Sequence, residues 1–352
     1  MFNFSEITFF TLFLAFIFTI LIIDLGVFSK KSHIIGFKEA LIWSIIWIGL
    51  SIGFYFFIIY FGNYIHGIDN LAELQLRIDK YDHPIDITGL AYPEALMLYE
   101  KNLALEYLSG YLIEKTLSVD NIFVMIMIFY AFGVEEKYYK RVLTWGILGA
   151  VVMRFIFIFA GSALVIRFHW ILYLFGFFLI YTGIHMFFTR NKKEEIEPKN
   201  HPVVKFASRY FRTHNSFEGE KFFIRKNGKW FVTPLFIVLL VIEFSDVIFA
   251  VDSIPAIFSI TKDPFIIFFS NIFAILGLRA LFFLVENVIN RFYYLKIGLS
   301  VLLTLIGVKM LIGEFLKGLG FTTIHSFYLI IGILLISIFA SIWFPPKEKI
   351  KT

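Results

Sequence analysis

The chain has 352 residues, 59% of them hydrophobic, with a mean hydropathy of +0.80 and a formal net charge of +5. That much apolar surface exceeds what a soluble core needs and falls in runs long enough to cross a bilayer. No cysteine is present, which excludes disulfides, thiolate metal sites and cysteine nucleophiles, while the basic residues follow the loops, as topology signals do, and form no nucleic-acid patch.

Apolar runs without period-two alternation read as helices, because hydrocarbon demands that each backbone polar group be satisfied within its own segment. Nine segments are expected to span, at roughly 7–28, 38–61, 105–130, 142–166, 169–188, 233–260, 265–288, 295–316 and 323–344. The fold class is therefore an all-α polytopic membrane protein. The first segment lacks a basic n-region and is followed by Lys30 and Lys31, so it reads as an uncleaved span. Asp24 near its end is expected either to pair with the Lys30 region or to serve as an inner relay.

Residues 62–102 carry Asp69, Glu73, Asp79, Asp82, Asp86 and Glu94 and read as a solvated acidic external loop. Residues 189–232, with Arg190, Lys192, Lys193, Arg209 and Arg212, read as an ordinary basic linker next to the membrane. Assigned to alternate sides, the loops hold 22 Lys and Arg on one side and 6 on the other. The positive-inside rule then puts the N-terminus outside and the C-terminus in the cytoplasm.

Within this pattern an acidic motif occurs twice. Glu114-Lys-Thr-Leu-Ser-Val-Asp120-Asn121-Ile122 aligns with Asp246-Val-Ile-Phe-Ala-Val-Asp252-Ser253-Ile254. Arg154 aligns with Arg279, each eight residues after Gly146 or Asn271, and Gly183-Ile-His-Met186 aligns with Gly307-Val-Lys-Met310. A unit of three spans repeated once is inverted in the membrane, an arrangement that places a transporter's substrate at the repeat interface. The expected organisation is two helices and the acidic loop (1–104), a first three-helix repeat (105–188), the basic loop (189–232), the inverted second repeat (233–316), and a last helix with its tail (317–352).

Glu114, Asp120, Glu243, Asp246 and Asp252 all fall inside spans. At roughly 3 kcal/mol apiece, such carboxylates must face one another, water or a cation. Arg154, Arg279 and Lys309 are candidates for charge compensation or relay, and a purely structural salt-bridge role for the acids is the competing reading. The ligand atoms of Glu114, Asp120, Asn121, Glu243, Asp246, Asp252 and Ser253 are all oxygens apart from amide nitrogen, which suits Mn²⁺, Mg²⁺ or Ca²⁺. A six-residue spacing rises about 9 Å and turns about 240°. The acids should thus form two tiers, Glu114 with Asp252 and Asp120 with Asp246, and Asp252 needs span six to bend or unwind at 251–255, where Pro255 removes a helical hydrogen bond.

At these residues the sequence resembles the TerC family of integral membrane proteins. The stretches that carry the resemblance are Glu114 to Phe123, Thr233-Pro-Leu with Glu243 to Ala256, and Ser270 to Ala280; Asp24-Leu-Gly-Val-Phe28 and Phe37 to Trp43 look like its Alx subgroup. The resemblance implies a manganese efflux protein of the inner membrane, with the family's acidic positions falling on Glu114, Asp120, Asn121, Glu243, Asp246, Asp252 and Ser253. Ser245 stands where relatives often carry Thr. The reading is then a secondary exporter of Mn²⁺, with protons as a candidate counter-ion, no enzyme activity and no bound cofactor. An accessory that supplies metal to, or assembles with, other membrane or secreted proteins is the alternative. An intramembrane hydrolase ranks last, for want of a nucleophile or metal-histidine motif.

Overall fold

The computed structural model describes residues 4–29, 35–168, 170–189, 201–214, 216–288 and 294–343; the side chains of Asp24, Asp120 and Asp252 are among those outside the description. The chain runs α1 (Phe4–Ser29), α2 (Phe37–Phe61), α3 (Asn63–His66), α4 (Leu71–Tyr81), α5 (Tyr92–Ala131), α6 (Glu136–Arg167), α7 (Trp170–Thr189), α8 (Pro202–Tyr210), β1 (Phe223–Lys226), β2 (Lys229–Val232), α9 (Pro234–Phe258), α10 (Pro264–Leu276), α11 (Leu278–Val288), α12 (Leu295–Leu311), α13 (Gly313–Gly318) and α14 (Thr323–Trp343). Apart from the short β1–β2 hairpin, every described element is a helix, as the all-α class expects of a membrane protein. Among the described residues five helices, α2, α6, α7, α9 and α14, are long and apolar enough to cross a bilayer unaided, and α10 with α11, bent by 44° at their junction, makes a sixth if counted as one span. The remaining three of the nine expected segments fall on α1, α5 and α12. The seventh segment is bent at Gly277, the first and eighth are helical over Phe4–Ser29 and Leu295–Leu311, with described apolar stretches of Glu6–Ile22 and Ile297–Leu311, and α5 carries Glu114, Lys115 and Asp120 within its apolar run.

Prolines open several elements, because the missing N–H of proline costs nothing in a first helical turn. Pro93, Pro234 and Pro264 stand in the first turns of α5, α9 and α10. Asp263 caps α10 by accepting from the Phe265 N–H at 2.9 Å. Asn70 caps α4 by accepting from the Glu73 N–H at 2.9 Å, and Glu73 reaches back to the Asp69 N–H at 2.9 Å.

The bundle has two distinct ends. At one end, residues 62–91 form a cap whose Ile65, Ile68, Leu74, Ile78 and Ile87 join the same apolar core as Tyr99, Phe265 and Phe269. The expectation of a solvated loop is thus corrected. Asp69, Glu73, Asp79, Asp82, Asp86 and Glu94 are indeed exposed, but the apolar residues at their spacing make α4 amphipathic and dock it. At the other end, the described part of the basic segment is also more than a linker. It forms α8 and a hairpin whose two-residue turn, Asn227-Gly228, has φ of 50° and 74°, the left-handed geometry that such a tight turn needs. The hairpin packs on the start of α9, with the Phe223 and Phe236 rings 4.6 Å apart and the Thr233 N–H donating to Phe222 O at 2.9 Å.

Two features shape the interior. The helix α9 continues through Pro255 to Phe258, so the expected unwinding at 251–255 does not occur; a proline three residues from a helix end removes little of the ladder. The break falls instead at Gly277, between α10 and α11. There the Lys115 Nζ donates to the Ala274 carbonyl at 3.3 Å. The second feature is the α7–α12 seam, where Gly176 and Gly183 face Gly307, Ser300 and Thr304 so closely that backbone lies against backbone.

Candidate cation site

The site lies where α5 and α9 face each other, flanked by α6 and α10. Glu114 of α5 is fully buried and makes an ion pair with Arg154 of α6. Arg154 Nη1 also donates to Asn271 Oδ1 of α10 at 2.7 Å, and its Nη2 lies 3.5 Å from Asp246 Oδ1 of α9. Asn121, nearly two turns beyond Glu114 on α5, donates through Nδ2 to the same Asp246 oxygen at 2.8 Å. Four helices thus converge on one guanidinium. The hydroxyls of Ser118 and Ser245 turn away to the carbonyls of Glu114 and Val241, at 2.7 and 2.9 Å, the local bond open to a serine inside a helix.

The arrangement adds a link across the two expected tiers, whose pairings with Asp120 and Asp252 lie outside the described side chains. Glu114 and Asp246, expected in different tiers, share Arg154 at one level. The first acids of the two motif stretches, Glu114 and Asp246, thus meet at Arg154. The second acids, Asp120 and Asp252, have side chains outside the description, as does Asp24.

Glu243 lies one turn before Asp246 and is only partly buried. Its carboxylate rests against Gly149 of α6, where a side chain would collide with it. It lines both a cavity of about 10 Å³ shared with Asp246, Arg279, Met125 and Gly146, and an open groove beside Trp145 and Val152. Arg279 donates to Thr144 Oγ1 at 3.3 Å on the wall of that small cavity. Lys309 is elsewhere. Its Nζ donates to the Ser259 carbonyl at 2.9 Å, capping the end of α9 beside a vestibule of about 760 Å³ at the cap end.

Hydrogen bonding leaves a defined remainder. At this site, among the described residues, the oxygens Glu114 Oε2, Asn121 Oδ1, Asp246 Oδ2 and Ser253 Oγ and the donor Arg154 Nε are buried without a hydrogen-bond partner, as are atoms elsewhere such as Tyr99 Oη and Glu106 Oε2. A buried acceptor left bare loses its hydration and gains nothing in return. No group of three or more His, Asp or Glu side chains stands close enough to hold a metal among the described residues; the two carboxylates that converge do so on Arg154. Sequence reasoning did not select Asn271 as a site residue, or Thr144. A neutral polar residue in a span carries no charge signal, although Asn271 occupies the aligned position of Gly146.

A family model described as "Integral membrane protein TerC family" matches residues 99–349. The chain belongs to the TerC family. Proteins similar to this TerC-family chain include an "Uncharacterized membrane protein STKORF319" of Myxococcus xanthus, 43% identical over 305 residues, covering 87% of this chain and 83% of the relative. A protein of Escherichia coli strain K12 named "Putative membrane-bound redox modulator Alx" is 43% identical over 296 residues, covering 84% and 83%. An "Uncharacterized membrane protein" of Rickettsia bellii is 39% identical over 338 residues, covering 96% and 97%. No solved structure matches the chain. Family, relatives and apolar helices together make it a multi-pass integral membrane protein.

Proposed function

We propose that the chain is a secondary transporter that exports a divalent cation, Mn²⁺ foremost, through the carboxylate site between α5 and α9. The observation that carries this reading is the set of four buried oxygens without partners, from Glu114, Asn121, Asp246 and Ser253. Each bare acceptor costs on the order of 1–3 kcal/mol, and a hard cation satisfies several at once. Arg154 already bridges the two carboxylates, so an entering ion takes them over from the guanidinium. Asp120, Asp252 and Glu243 would supply the further charge, with protons as counter-ion.

The same reading takes the fold as nine crossings containing an inverted repeat at 105–188 and 233–316, the N-terminus outside and the membrane the inner one. In support, contacts tie Glu6 of α1 to His66 after α2, Ser162 of α6 to Lys262 after α9, and Thr323 of α14 to Asn102 of α5, all at the cap end. Tyr294 before α12 meets Ser341 of α14 at the other. The packing is also reciprocal: α5 lies on α10 as α9 lies on α6, and α7 lies on α12. The redox role in the relatives' name does not transfer by thiol chemistry, since this sequence has no cysteine. A redox effect would follow from the metal moved.

The test is purified protein in liposomes loaded with a Mn²⁺-sensitive dye. Flux that is present in the unaltered chain and abolished by Glu114→Gln and by Asp246→Asn supports export. Absence of flux in the unaltered chain refutes it and favours the accessory role.

A further inference from the structure

The cap end holds a second buried ionisable cluster that the cation site does not use. His66 is fully buried, and both of its ring nitrogens meet carboxylates, Nδ1 with Glu6 Oε1 at 3.0 Å and Nε2 with Asp263 Oδ2 at 2.7 Å. Arg77 Nη1 lies 2.9 Å from Glu6 Oε1. His83 Nδ1 lies 2.8 Å from Glu106 Oε1, which also accepts from Asn102 Nδ2 at 2.7 Å. The Tyr81 ring stands between the imidazoles, 5.5 Å from one and 6.1 Å from the other. Glu6, His66, Arg77 and His83 all precede residue 99, where the family match begins.

Hydrogen-bond chemistry sets the protonation state. A neutral imidazole has one N–H and one lone pair. A ring with carboxylate oxygens at both nitrogens needs two N–H groups, so His66 is an imidazolium in this packing. The charges agree. Glu6, Asp263 and Glu106 set three negative charges against Arg77, and protonation of His66 and of His83, whose Nδ1 faces Glu106 while its Nε2 is buried without a partner, neutralises the other two. The other charged groups near it are Lys80, partly exposed; Glu100, buried, which accepts from the Asn63 N–H at 3.1 Å; and the Lys262–Asp82 pair at 2.8 Å.

We propose that His66 and His83 form a proton-binding latch. Two protons drawn from the solution on the cap side hold the first turn of α1, the α3–α4 cap and the α9–α10 turn together, and their release undocks the cap. Burial pulls both imidazoles down, but Asp263 and Glu6 at His66, and Glu106 at His83, outweigh it and hold both above the usual histidine value. A raised value in the folded state makes docking complete below about pH 6.5 and lost as pH rises through the raised values. Tyr81 and Thr261 line the 760 Å³ vestibule, so undocking widens the space in front of α9. The latch is independent of which ion crosses.

Because the chain has no cysteine, a single introduced one reports alone. The full chain in nanodiscs is altered at Ile87→Cys, buried under the cap, or at Leu76→Cys, exposed on α4. Labelling by a soluble maleimide is read as the ratio of the two rates, which cancels thiol ionisation. The ratio is expected to rise at least tenfold from pH 6 to pH 9, and to stay high and flat with His66→Gln and His83→Gln combined. If that double variant does not fold, Glu6→Gln decides: removing one carboxylate should move the midpoint to lower pH. A ratio that is flat in the unaltered background, or a midpoint unmoved by Glu6→Gln, overturns the latch.

Discussion

Arg154 is 2% exposed and holds two carboxylates and one amide from three other helices. Replacing it strands Glu114 and Asp246 as unpaired buried charges. Arg154→Gln should therefore lower stability by about 3–5 kcal/mol, read as a fall in the unfolding midpoint in detergent, and adding Glu114→Gln should recover part of the loss. Gly149 sets a different constraint, since a Cβ there lands on the Glu243 carboxylate. Gly149→Ala should cut Mn²⁺ flux in liposomes several-fold while leaving the unfolding midpoint within a few degrees, because the flexible carboxylate end can give way where backbone cannot. At this scale Glu114 and Asp246 were legible in the sequence, because an acid in an apolar run has few reasons to be there. Asn271 was not, since an amide costs little enough to occur anywhere in a span. His66 was invisible for another reason: it follows an apolar run in a polar segment, where a histidine reads as surface.

Helical elements were read more easily than their interruptions. Pro255 was the obvious breaker by sequence, yet α9 passes through it and the bundle bends at Gly277. A missing hydrogen bond near a helix end is cheap, whereas Gly277 is stabilised in its break by Lys115, whose ammonium caps the Ala274 carbonyl. A Cβ at Gly277 would lie 2.7 Å from that ammonium and 3.1 Å from Trp47 Cβ. The Asn227-Gly228 turn, by contrast, carried a sequence signal for a hairpin that the basic composition of its surroundings masked. The α7–α12 seam yields the sharpest prediction for an element. A Cβ on Gly307 would stand 2.6 Å from the Gly176 carbonyl oxygen and 2.9 Å from the Ile180 nitrogen, both backbone. Gly307→Ala should force the helices apart and cost about 1–3 kcal/mol, measured by denaturant unfolding.

For the molecule as a whole, hydropathy made the class plain and left the cap hidden, since residues 62–91 owe their docking to amphipathic spacing and to buried pairs with residues far away in sequence. Those pairs set the sign expected for the pH dependence of stability. With His66 and His83 held above the usual value, the unfolding temperature should fall as pH rises from 6 to 9, and Glu6→Gln should shift that fall to lower pH. Differential scanning fluorimetry over that range measures both.

The cavity of about 10 Å³ among Glu243, Asp246 and Arg279 has room for about one water molecule. A cation that lodges there leaves most of its hydration shell behind in the surrounding solution. Mg²⁺ gives up its water reluctantly and keeps several molecules in most protein sites, so under the proposed export function a chamber of this size should sort ions by the work of undressing them. Equal Mg²⁺ should then compete poorly against Mn²⁺ in the liposome assay, and enlarging the chamber with Met125→Ala should narrow that preference.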